Sequence, residues 1–219
     1  METTLGGGAA FPYLKVRLNP KETILCESDA LVSMTQGFEL RSRVPGGIIG
    51  ALLMKFLGKE SFFKSELQNI DSVPRDLVLT QSFAGQIVAV NLQDETFYMQ
   101  PGAFVAAGPG IDLRVNWAGF SSWMAGEGLF RIRTSGTGTV WCGAYGAVIE
   151  RSINGVYLVD NGHLFSYPKN MKLSLQMSGG IFSSLFGGEG FVLRLEGKGT
   201  IRLQTRSING LAGWLNSKF

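Results

Sequence analysis

The chain has 219 residues, 45% hydrophobic and 17% charged, which excludes intrinsic disorder and allows a sizeable core without disulfides or metals. Its formal net charge of +3 is too small to point to nucleic acid by itself. One histidine and two cysteines cannot assemble a zinc site of four His or Cys ligands, nor a three-His site. Thirty glycines without a collagen period imply many tight turns.

In chain order, strands are predicted at 23–26, 29–34 and 38–42, and the last of these alternates apolar and polar residues. An apolar, Gly-bounded segment follows at 48–57, then Glu60, a strand, a turn with Pro74 and Asp76, and a strand at 77–81. The same series restarts with strands at 96–99, 102–107 and 111–115. It continues with an apolar segment at 120–124, Glu127 in Gly-Glu-Gly, a Gly-x-Gly-Thr turn at 136–139 and a strand at 140–144. The third pass has strands at 156–159, 162–167 and 171–175, an apolar segment at 181–186, Glu189 in Gly-Glu-Gly, a turn at 197–200 and a strand at 201–205.

This predicts an all-β protein made of one unit repeated three times, at 13–86, 87–147 and 148–210, with an N-terminal extension over 1–12 and a C-terminal tail over 211–219. No Pro/Ser/Gly linker separates the units, so one compact body about a pseudo-threefold axis is expected. The longest apolar run is far below the ~20 residues that span a bilayer. The first ten residues do not read as a signal peptide, so a cytoplasmic location is expected, with Cys26 and Cys142 as buried thiols.

Several motifs carry a family resemblance. They are Lys55-Phe-Leu-Gly-Lys-Glu-Ser-Phe-Phe63, Gln100-Pro-Gly-Ala-Phe-Val-Ala106 and Gly126-Glu-Gly-Leu-Phe130. Val159-Asp-Asn-Gly-His-Leu164, Gly188-Glu-Gly190 and Leu203-Gln-Thr-Arg-Ser207 complete the set. The series resembles the altered inheritance of mitochondria protein 24 family, in order and spacing, over about 24–207. The resemblance implies a fold like that of the tryptophan RNA-binding attenuation protein, a double-stranded β-helix type of sandwich, and no known enzyme activity. With no transit peptide in view, the chain looks like a prokaryotic member.

The candidate sites each admit two readings. Asp160 and His163 could form an acid–base pair or half a metal site; the alternative is a turn in which Asp160 caps amides and His163 packs at a strand start. Ala30 and Ala103, the equivalents of His163 in the other units, carry no ligand and favour the turn. Glu60, Glu127 and Glu189 could ring a cation, but a repeated local bond to backbone amides is the favoured role. The glycine loops lack the Lys-Ser/Thr and helix context of a phosphate cradle.

Arg131, Arg133, Arg194, Arg202 and Arg206 alternate with apolar residues, and several of them could line one sheet face suited to RNA. The low net charge disfavours nucleic acid without excluding it. A cupin-like enzyme would need several histidines, so no enzyme, metal or cofactor is expected.

The apolar segments offer an interaction surface through Ile48, Leu52, Leu53, Phe56, Phe120, Trp123, Ile181, Phe182 and Phe186. Exposed together they would hold a homo-oligomer, a membrane surface or a protein partner; folded back, they would be lids over the core. The expected role is interaction or scaffolding, with RNA or small-ligand binding by fold analogy as the alternative.

Overall fold

The computed structural model describes residues 1–43, 64–117, 130–160, 162–177 and 191–218. The interaction residues from Ile48 to Phe186 named above, and Glu60, Glu127 and Glu189, lie outside the described residues. What is described is almost entirely antiparallel β, as the alternating segments require.

The strands are β1 (Glu2–Gly8), β2 (Phe11–Leu18), β3 (Thr23–Glu27), β4 (Leu31–Met34), β5 (Phe38–Arg43), β6 (Lys64–Asn69) and β7 (Arg75–Thr80). β8 (Ile87–Met99), β9 (Phe104–Ala107), β10 (Ile111–Trp117) and β11 (Phe130–Gly143) follow. Then come β12 (Val148–Asp160), β13 (Leu164–Pro168), β14 (Lys172–Met177), β15 (Phe191–Gln204) and a terminal helix, α1 (Ile208–Asn216).

β7 lies between β2 and β4, and β6 between β3 and β5. The long strands then do the work of two. The C-terminal half of β11 pairs with the first half of β8 and with β9, while its N-terminal half pairs with the rest of β8 and with β10. β15 does the same with β12, β13 and β14. Two seams join these groups: β9 pairs with β3, Ala106 opposite Cys26, and β13 pairs with β8, Ser166 opposite Met99.

The sequence reading breaks β11 and β15 at Gly-x-Gly-Thr turns, but both run on as single strands. The glycines bend them instead. Gly136, Gly138, Gly197 and Gly199 all have positive φ, and at Gly136 the register with β8 shifts by a bulge. At Gly136 a Cβ would stand 2.1 Å from the Gly110 carbonyl oxygen, so only glycine fits.

Among the described residues most of the buried apolar side chains fall into three clusters. One, around Leu14, Leu67 and Leu79, also receives Val105, Ala106 and Trp141 from across the first seam. The second, around Phe104 and Ile132, receives Phe165 from across the other seam. The third gathers Val159, Leu193, Leu195 and Ile201. Cys26 and Cys142 are free thiols in the first two clusters, and burial pushes each up to about 12.

Candidate interaction surfaces

His163 stands just before β13, after the turn that leaves β12. Its N–H donates to the Asp160 carbonyl at 3.2 Å, the closing bond of that turn. Its Nδ1 is 2.8 Å from the Gln204 carbonyl, and because a carbonyl only accepts, Nδ1 carries the proton. Nε2 faces the Asp160 carboxylate at 3.8 Å, beyond hydrogen-bond length. The imidazole therefore ties the β12–β13 turn to the end of β15.

Gln204, itself buried, extends the tie. Its Nε2 donates to the Gly162 carbonyl at 2.8 Å, and its Oε1 accepts from Gln100 Nε2 at 3.0 Å and from the Tyr145 amide at 3.1 Å. Among the described residues no three His, Cys, Asp or Glu side chains cluster as a metal site would require.

The arginines do not share one face. Arg202 is opposite Ser166, Ser166 opposite Met99, and Met99 opposite Ile132, so these four point the same way. Arg131 and Arg133 flank Ile132 and point the other way. Arg202 Nε is bound to Glu150 at 2.7 Å, and Arg194 is bound to Glu196.

Arg131 lies 4.6 Å over the Tyr98 ring, donates to the Tyr167 hydroxyl, and buries its Nε without a hydrogen-bond partner. Tyr98 and Tyr167 are opposite each other across the β8–β13 seam, so this arginine braces a junction. The sequence hinted only at an exposed strand face here, because alternation with Phe130 and Ile132 does not reveal a neighbouring ring.

Lys64 is buried in turn. Lys64 Nζ donates to the Leu113 carbonyl at 2.7 Å, linking β6 to β10, and burial pulls the amine down to about 8. Opposite it on β3, Glu27 is pushed up to about 7, first by burial and then by Asp29.

The tail expected over 211–219 holds most of a helix. Ser207 caps α1, its hydroxyl accepting from the Gly210 amide at 3.0 Å. Ile208, Leu211, Trp214 and Leu215 are all exposed, an apolar face turned to solvent. The 3.6-residue spacing of Ile208, Leu211 and Leu215 could have signalled this helix, but Gly210 and Gly213 weaken the pattern. Among the described residues no helix is long and apolar enough to cross a membrane.

With this framework in place, comparison with known proteins gives a match to the family model described as Mitochondrial biogenesis AIM24 over residues 4–206. The chain belongs to the AIM24 family. An uncharacterised protein of Streptococcus pyogenes serotype M6 is 23% identical over 224 residues, which cover 98% of this AIM24-family chain and 90% of that protein. A crystal structure of a Streptococcus pyogenes protein from a structural genomics consortium is similar with a TM-score of 0.79 at 23% identity. That likeness covers 100% of this chain and 99% of the other, and it shows the fold.

Proposed function

We propose that this AIM24-family chain is a non-enzymatic, cytoplasmic interaction or scaffolding protein that works as a homo-oligomer. In this reading it consists of three units of the attenuation-protein type, repeated along the chain. Its contacts are with copies of itself, a protein partner or a membrane surface, and it takes no cofactor. The observation that carries this is the amount of large apolar surface left uncovered: Val32, Met34, Val156 and Leu158 on strands, and the whole apolar face of α1. The recurring motifs and strand pairings support the threefold repeat, and the apolar segments at 48–57, 120–124 and 181–186 add further contact surface in the sequence.

The test is self-association and vesicle binding. Light scattering and co-sedimentation with anionic vesicles are run on the wild-type chain and on Leu53→Asp combined with Phe56→Asp, with circular dichroism as the folding control. The expected outcome is a folded variant that associates or binds vesicles less than the wild type. A folded variant unchanged in both assays removes the apolar segments from the reading. A wild-type chain that is monomeric and ignores vesicles removes the reading itself.

A further inference from the structure

β4, β9 and β13 hold equivalent places: each pairs with the strand that ends its own group, β7, β11 and β15 respectively. β9 and β13 each have a second neighbour, β3 and the end of β8. Among the described residues β4 has none, and the last stretch of β12 is likewise paired only with β15. The motif alignment sets Val32 against Val105 and Phe165, Met34 against Ala107 and Tyr167, and Leu158 against Leu25 and Tyr98.

Burial follows the seams. Val105 is 0% exposed in the first cluster and Phe165 is 1% exposed in the second, each inserted into the group before its own. Val32, with no group before it, is 59% exposed. In the other direction, Leu25 packs against the second cluster and Tyr98 against the third. Leu158, with no group after it, is 50% exposed. Among the described residues two halves of a junction thus stay unsatisfied, while the same junction is completed twice internally.

We propose that a second copy of the chain completes it: β4 of one copy adds, antiparallel, to the free edge of Val156–Asp160 in the next. The internal registers fix the pairing. Ala106 stands opposite Cys26 and Ser166 opposite Met99, so Ser33 falls opposite Val159. Likewise Ala107 opposite Leu25 and Tyr167 opposite Tyr98 set Met34 opposite Leu158. Val32 then enters the third cluster of the next copy, and Leu158 of that copy packs on the first cluster of this one. The contact joins two different surfaces, so every copy offers one of each and the assembly runs head to tail, as a ring or a filament. This proposal rests on the reading of the protein as a self-associating scaffold of three equivalent units, and it places the contact on strand edges.

Residues directly opposite in an antiparallel pair have Cβ atoms about 4.5–5.5 Å apart, close enough to bridge with small adjustment. The native thiols are buried and do not compete. An equimolar mixture of the Met34→Cys and Leu158→Cys chains, oxidised mildly, is expected to give a covalent two-chain product that neither gives alone. The chain carrying both changes is expected to give a ladder of multiples. In sedimentation velocity, Val32→Lys with Leu158→Lys, both at exposed positions, is expected to weaken association by roughly tenfold or more.

A doubly changed chain that cross-links only within itself overturns the proposal, because the two edges would then close within one copy. A wild-type chain that associates, with no cross-link and no effect of the lysines, overturns this junction and leaves the scaffold reading intact. A wild-type chain that is monomeric at every concentration overturns both.

Discussion

Trp141 and Trp214 show how two regions of one chain treat the same side chain. Trp141, on β11, is 3% exposed and sits in the first cluster; Trp214, on α1, is 60% exposed. Both lie in apolar stretches, so composition does not separate them. Trp141 is covered because β11 is paired on both edges and faces the layer of Leu14, Leu77 and Leu79. α1 has its cap and its internal hydrogen bonds, but its apolar stripe stays in solvent. A stripe becomes core only when another element is placed against it.

Truncation at a seam should break this contrast most. Phe165→Ala removes a fully buried ring from the second cluster and is expected to cost about 3–5 kcal/mol in chemical denaturation, whereas Trp214→Ala should stay within about 0.5 kcal/mol. Comparable losses from the two would mean that α1 packs on the body in solution. Next in size, Ser207→Ala should cost about 1 kcal/mol of local helix stability, read as faster amide exchange in α1 with the strands unchanged.

Stability should also depend on pH through one partly buried and one buried group. Glu27 has its folded value raised from 4.5 to about 7, so the folded state holds its proton longer than the unfolded chain does. Its contribution therefore falls as pH rises from 4.5 to about 7. Lys64, lowered from 10.5 to about 8, sheds its proton earlier when folded, and stability rises from about 8 toward 10.5. Together they set a shallow minimum between these windows. Glu27→Gln should flatten its acid side in thermal melts and leave the alkaline side in place.

Much of the strand framework was legible. The alternation of Ile111-Asp-Leu-Arg-Val marks β10 because this half-buried strand shows one face to the core, and the same pattern in Phe38-Glu-Leu-Arg marks β5 although Leu40 there is exposed. The extension over 1–12 hid β1, whose residues are exposed or partly exposed and therefore carry no pattern. The glycine pairs in β11 and β15 looked like turns because a bend inside a paired strand and a turn between two strands need the same positive φ. At the candidate sites, the sequence pointed to a turn capped by the Asp160 side chain, whereas the bond that closes it goes to the Asp160 carbonyl, and the grip of Gln204 on that turn comes from residues 41 and 42 positions away. The difference between β4 and β9 was not readable at all, since it lies in what stands beside each strand and not in the strand.

The seams also decide how the molecule can be taken apart. β9 belongs by chain order with β8 to β11, yet it covers β3, and β13 covers the end of β8 in the same way. A fragment ending at residue 86 would strip Val105, Ala106 and Trp141 from the first cluster, and one ending at 147 would strip Phe165 from the second. Each cut would manufacture another bare strand edge like that of β12. The three stretches are therefore not interchangeable parts: each one alone would carry two sticky sides, whereas their covalent order in one chain covers the inner sides and leaves, among the described residues, one such edge on the first stretch and one on the last.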